Sequence, residues 1–196
     1  MKRIAVFASH GGSNLQAIID TCEKQSIDGE VCLVISNNSA SRALDRARAK
    51  DIPAYHISDS KHEGYESAEM MMLQLLEVHQ SDILFLAGYL KPLKESIVKK
   101  YYDNIYNIHP ALIPNHCGKG MFGIHIHEAV IAHHEKETGI TIHKVNENYD
   151  EGEIVSQCIV KVCANDTPES LQKRVMEREH CFIIETLQEI IKKETE

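Results

Sequence analysis

The chain has 196 residues, 43% of them hydrophobic and 26% charged, with a formal net charge of -8. That is the make-up of one soluble domain of ordinary size, and its acidic balance excludes nucleic acid as the main partner, because phosphate backbones demand a basic face. No stretch reaches the ~20 consecutive apolar residues of a membrane span; the apolar part of residues 1–9 is too short for a secretory h-region; and six cysteines without CxxC spacing read as reduced core thiols of a cytoplasmic protein.

Residues 2–8 are an apolar, β-branched run, the predicted first strand of a parallel sheet. His10-Gly11-Gly12-Ser13-Asn14 follows, then an amphipathic helix with Leu15, Ala17, Ile18, Ile19 and Cys22. Ser13 and Gln16 fit a capping box, which predicts the helix start at this serine. A strand, a glycine turn and a helix N-terminus make an anion site, with backbone N–H groups converging where the dipole is positive. No Gly-Lys-Ser/Thr and no full dinucleotide fingerprint is present, so the two glycines equally fit a plain tight turn.

The alternation continues with a strand at 30–36 and a helix at 40–50, with Ala43, Leu44 and Ala47 inward and Arg42, Arg46, Arg48 and Lys50 solvated. A short strand at 53–57 and a helix at 65–79 come next, with Met70-Met71-Met72 as core filling. A fourth strand at 82–87 opens into Gly88-Tyr89-Leu90-Lys91-Pro92-Leu93, a helix spans 93–102, and the fifth strand spans 105–108. Pro110 cannot donate to a ladder, so it stops that strand.

Asn107 and His109, two apart on a strand, point to one face. An amide and an imidazole there suit carbonyl chemistry: the amide donates to an oxygen gaining negative charge, and the imidazole donates or moves protons near neutrality. A distant carboxylate, Asp150, would fix the imidazole and favour its charged form. Asn-x-His before a proline is also an ordinary strand exit with both side chains capping loose backbone groups.

After Pro110, residues 111–124 hold Pro114, Gly118, Gly120 and Gly123, a long loop of the kind that is usually functional. A helix at 126–137, two antiparallel strands at 139–146 and 153–162 joined by the Asp150 loop, and a terminal helix at 168–193 complete the reading. That last helix has an apolar stripe of Leu171, Val175, Phe182, Ile183, Leu187, Ile190 and Ile191. His116, Cys117, His125, His127, His133 and His134 crowd one region, but their spacing matches no familiar zinc motif and adjacent histidines point apart on a helix, so no metal is expected. The fold class is α/β, a Rossmann-like, mostly parallel twisted sheet flanked by helices with an antiparallel pair towards the C-terminal half. Without a composition break, residues 1–196 form a single domain, 1–105 its phosphate-binding half and 106–196 its catalytic half.

His10-Gly11-Gly12-Ser13-Asn14-Leu15-Gln16, Ala87-Gly88-Tyr89-Leu90, Asn107-Ile108-His109-Pro110-Ala111-Leu112-Ile113-Pro114 and Asp150-Glu151-Gly152 together resemble the phosphoribosylglycinamide formyltransferase family, from residue 2 to about residue 190. The Asn–His–Asp set is shared with other formyltetrahydrofolate enzymes; the Gly-Ser-Asn loop is the more discriminating part. The resemblance implies transfer of the formyl group of 10-formyltetrahydrofolate, the co-substrate, to the amine of 5'-phosphoribosylglycinamide in purine biosynthesis. Asn107 and His109 become the catalytic pair and Asp150 their partner, with no metal. Gly12, Ser13 and Asn14 become the phosphate-side contacts, and Glu179 a ribose contact. Leu90, Lys91, Pro92, Leu93, Asn146 and Asn148 would line the folate's pterin pocket.

Departures from the family pattern are Lys91 and His62 where arginines are frequent, Met176 where a polar nucleotide contact is expected, and a long stretch at 117–123. Small-molecule substrates, no nucleic acid, no membrane and a monomer or weak homodimer are expected. Two other readings of the residues stay open: a deformylase in which water replaces the amine, and a phosphosugar-binding module that uses only residues 12–14.

Overall fold

The computed structural model describes residues 1–61, 65–148 and 150–193; His62 lies outside them. In chain order the elements are β1 (Lys2–Phe7), α1 (Ser13–Glu23), β2 (Gly29–Ser36), α2 (Arg42–Arg48), β3 (Ala54–His56), α3 (Tyr65–Val78) and β4 (Ile83–Leu86). Then follow α4 (Glu95–Lys100), β5 (Ile105–His109), α5 (Ile124–Ala132), β6 (Glu137–Lys144), β7 (Ile154–Lys161) and α6 (Pro168–Lys193). The strands build one seven-stranded sheet in the order β3-β2-β1-β4-β5-β6-β7. Pairing is parallel from β3 to β5 and antiparallel at β5–β6 and β6–β7.

The apolar runs read in the sequence are central strands covered on both faces, which is why they lack polar alternation. Ile4, Val6 and Phe85 face one core, filled by Leu15 and Ile18 of α1 and by Val175, Ile183 and Leu187 of α6. Ala5, Phe7, Leu84 and Leu86 face the other, filled by Met72 and Leu76 of α3 and Ile97 of α4. Fully burying one such leucine contributes about 2 kcal/mol. Of the three consecutive methionines only Met72 is fully inside; Met70 is exposed, since three successive helical positions cannot share one face. All six cysteines are free: Cys32 is buried and Cys22 and Cys158 pack half-buried against the core, as expected, while Cys163 and Cys181 are exposed. No described helix is long and apolar enough to cross a membrane.

Strand switching between β1 and β4 puts a crevice at their C-terminal ends, where ligands bind in open α/β sheets. Buried Ser9 ties that crevice: its N–H donates to Gly88 O at 3.0 Å and its Oγ accepts from Leu90 N at 2.9 Å. Several element ends differ from expectation. β5 runs through His109, which pairs with Thr141, before Pro110 ends it. The α5 helix starts at Ile124 and stops at Ala132, not 137, because His134 takes a left-handed φ of 53°. His134 N–H then donates to Ile131 O at 3.0 Å and Glu135 N–H to Val130 O at 3.3 Å, the paired closure of a Schellman turn. Glu137 is already strand.

Candidate active site

Asn107 and His109 stand at the end of β5, and the antiparallel register sets His143 of β6 directly opposite Asn107. Asn107 Nδ2 lies 3.1 Å from His143 Nε2 and 3.5 Å from Asp150 Oδ1. His143 Nδ1 lies 2.8 Å from Lys144 O, a pure acceptor, so Nδ1 carries a hydrogen, while Nε2 faces the Asn107 amide and, at 3.5 Å, Asp150 Oδ1. Asp150, on a left-handed backbone (φ 56°), brings Oδ2 to 3.8 Å from His109 Nδ1 and accepts from Gly118 N–H at 2.9 Å. Amide, two imidazoles and a carboxylate therefore form one cluster, with His109, His143 and Asp150 all buried.

Burial pushes the His109 imidazole below its ordinary range; the His116 carbonyl and the Asp150 charge act the other way and do not outweigh it. The expectation that Asp150 would hold this ring charged is thus corrected: 3.8 Å is too long for a hydrogen bond to offset desolvation. His109 Nε2 lies 2.8 Å from His116 O and so donates to it. For Asp150 burial raises the carboxyl, but hydrogen bonds from His143 and Gly118 N–H and the neighbouring imidazoles carry it below its usual range, so it is ionised at neutral pH. His127, also buried, is pushed down to about 4 by desolvation and then by the His109 charge; its Nδ1 has no hydrogen-bond partner.

At the other end of the cleft, Gly12 is the N-cap of α1 with φ 68°, and a Cβ there would stand 2.8 Å from Ala43 Cα and Cβ. Glycine is required at this position twice over, by its dihedral and by the close pass of α2. No side chain caps the helix, so the predicted Ser13 capping box is absent. Gln16 instead donates to Asp20 Oδ1 at 2.7 Å and accepts from Arg46 Nη1 at 3.0 Å. Arg46, expected in solvent, also donates through Nε to Gly11 O at 2.8 Å, which sets a guanidinium on the glycine loop. Asn14 Nδ2 donates to Glu179 Oε2 at 3.3 Å across 165 residues of chain. Glu179 occupies a helical position that the α6 stripe assigns to the core, and burial pushes its carboxyl up to about 7 against the Asn14 bond.

Two clefts meet at the cluster. One, of about 590 Å³, runs from Asn14 and Glu179 to His109 and is walled by residues 118–123 of the long loop, with Met176 at its side. The other, of about 340 Å³, is lined by Lys91, Pro92, Leu93, Asn146 and Asn148. Tyr89, Asn107 and Asp150 line both. Of the residues assigned to the pterin pocket, Leu90 alone falls in the larger cleft. Sequence reasoning missed His143 and Thr141. The Thr141 hydroxyl donates to Ala111 O at 2.7 Å and accepts from Ile113 N–H at 3.1 Å, so β6 holds the start of the long loop. Both lie on one face of an alternating strand, but what that face meets depends on a register no local signal carries.

The family model for formyl transferases matches residues 2–187. The chain is 40% identical over 189 residues to a protein of Arabidopsis thaliana named phosphoribosylglycinamide formyltransferase, chloroplastic; the match covers 95% of this chain and 64% of that protein. A Bacillus subtilis protein named phosphoribosylglycinamide formyltransferase is 29% identical over 191 residues, covering 97% and 95% of the two chains. The crystal structure of glycinamide ribonucleotide transformylase 1 from Symbiobacterium toebii superposes with a TM-score of 0.91 at 31% identity, over 98% of this chain and 89% of that one. With the model's match extending over nearly all of the sheet and both clefts, the chain belongs to the formyl transferase family.

Proposed function

We propose that this chain transfers the formyl group of 10-formyltetrahydrofolate to the amine of 5'-phosphoribosylglycinamide in purine biosynthesis. The observation that supports this best is the meeting of two clefts at one amide–imidazole–carboxylate cluster, since a transfer between two substrates needs two sites with a shared wall. The larger cleft reaches Asn14 in the first turn of α1, and the helix N-terminus beside it, Gly12 and Ser13, suits a phosphate, while Glu179 suits ribose hydroxyls. The smaller one, between the 91–93 and 146–148 segments, suits a flat folate ring. Both named relatives carry this activity in their names.

In the proposed reaction the amine lone pair attacks the formyl carbon and the carbonyl electron pair moves onto oxygen. Neutral His109 donates Nε2–H to that oxygen, which takes the place of the His116 carbonyl, so this reaction requires the long loop to lift. Asn107 donates through the hydrogen now spent on its longest contact, that to Asp150. Losing one such donor typically costs roughly 3–4 kcal/mol of transition-state stabilisation. Ionised Asp150 receives the proton that the attacking amine sheds and passes it, through water, to the departing folate nitrogen as its bond to carbon breaks. Alignment of both substrates supplies the remainder.

The test is an assay of purified chain with 10-formyltetrahydrofolate, with and without the ribonucleotide. Formylated nucleotide and tetrahydrofolate should appear in equal amounts, and negligible formate without acceptor. Formate released at one rate in both cases would establish the hydrolase instead. Binding of the ribonucleotide with no turnover of either kind would leave only the binding module.

A further inference from the structure

Behind the long loop, away from both clefts, His116, His133 and Glu135 bring three ligand atoms within 4.8 Å of one another. The sequence shows His116 and His133 only as part of a crowd of histidines without a metal spacing, and it hides Glu135, because the expected continuation of α5 to 137 would have spread these residues around a helix. The observed helix end assembles them instead. His133 caps the C-terminal end of α5, His134 turns left-handed, and Glu135 folds back beside His133. His116, itself left-handed at φ 51°, reaches over from the loop. Its Nε2 lies 2.6 Å from Glu135 Oε1, and its ring stands 5.4 Å from that of His133 at 40°. The His116 side chain is 7% exposed and the Glu135 side chain 31%, while His133 is open to solvent.

We propose that these three residues bind one divalent transition-metal ion, of the zinc, cobalt or nickel kind. Two imidazoles and a carboxylate are the donor set such borderline ions prefer, and magnesium or calcium would want oxygens alone. Bonds of ~2.0–2.1 Å at tetrahedral angles separate ligand atoms by about 3.3 Å. The three atoms, none further than 4.8 Å from another, reach that spacing by side-chain rotation of roughly an ångström, with the fourth position facing water. The Glu135 carboxylate offsets part of the ion's charge. Because the His116 carbonyl also accepts the His109 Nε2–H bond, an ion here fastens the long loop to the end of α5. The inference is argued from this cluster alone and does not rest on the proposed formyl transfer.

Tag-free, metal-stripped full-length chain is titrated with Co2+, followed by visible absorption, and then with Zn2+. We expect one equivalent of Co2+ to give the absorption of a four-coordinate nitrogen–oxygen site, displaced by one equivalent of Zn2+, which also raises the melting temperature. His133→Ala and Glu135→Gln, at positions where the fold tolerates change, should weaken binding at least tenfold with unchanged circular dichroism. His134→Gly, which removes an imidazole outside the ligand trio and keeps a residue suited to the left-handed turn, should bind as the parent does. Absence of saturable binding, thiolate charge-transfer bands, binding undiminished in His133→Ala, or binding lost in His134→Gly would each overturn the proposal.

Discussion

Replacing Glu179 by glutamine separates the cost of a buried carboxylate from its use. The carboxyl is 8% exposed and titrates at about 7 in the fold against 4.5 for an ordinary glutamate, because burial disfavours its charge. Between those two values the folded chain keeps a proton that the unfolded chain has lost, so stability falls as pH rises through this window and levels off above 7. The full shift is 7 - 4.5 = 2.5 pH units, which at 1.36 kcal/mol per unit is about 3 kcal/mol, most of it falling between pH 5 and pH 8. Glutamine has the same shape, can still accept from Asn14, and does not ionise. The stability of Glu179→Gln relative to the parent should therefore climb by roughly 2–3 kcal/mol from pH 5 to pH 8. Urea denaturation followed by circular dichroism at several pH values measures this, and the difference between the two proteins cancels every other titrating group. A difference that stays flat with pH would refute the reasoning, because it would mean that the carboxyl is ionised in the fold at no cost.

Asp150→Asn removes the charge and the proton acceptor and keeps the shape; turnover should fall by two orders of magnitude or more, with ribonucleotide affinity by calorimetry within a few-fold. His109→Ala combined with Asp150→Asn should lose little more than the worse single variant, as groups acting on one oxygen and one proton do. Gly12→Val must fit a side chain where a Cβ alone meets Ala43 at 2.8 Å, so it should weaken ribonucleotide binding at least tenfold and leave folate binding nearly unchanged. Gly152→Ala should displace the Asp150 loop, since a Cβ at that position would lie 1.8 Å from the backbone oxygen of Lys144. Its expected signature is lost turnover in a chain that still melts cooperatively.

What was legible in the sequence depended on whether local chemistry decided it. The bounds of α6 were readable because Thr167 and Pro168 start it and an i, i+3, i+4 stripe runs its length. The shared face of Asn107 and His109 followed from strand geometry alone. The protonation of His109 was misjudged, because a carboxylate's pull falls with distance and the depth of burial is a tertiary quantity. His143 was invisible for a similar reason: its role comes from lying opposite Asn107 across an antiparallel pair. The end of α5 went unread because a histidine, not a glycine, takes the left-handed turn there. Ser13 satisfied a sequence pattern for capping that Gly12, by occupying the cap itself, left without a function.

The position of β5 inside the sheet has a consequence for how the molecule loosens on warming. It is hydrogen-bonded to β4 on one side and β6 on the other, so Asn107 and His109 ride on backbone that opens only with the whole sheet. Asp150 is tied to that frame through Asn107, His109 and His143, whereas residues 118–123 hang on a loop that meets it through the Gly118 N–H to Asp150 bond. Local opening draws on the weakest parts first. Amide protons of the 118–123 loop should therefore exchange with solvent long before those of β5, and warming should open the wall of the larger cleft while the donor pair and its carboxylate are still assembled.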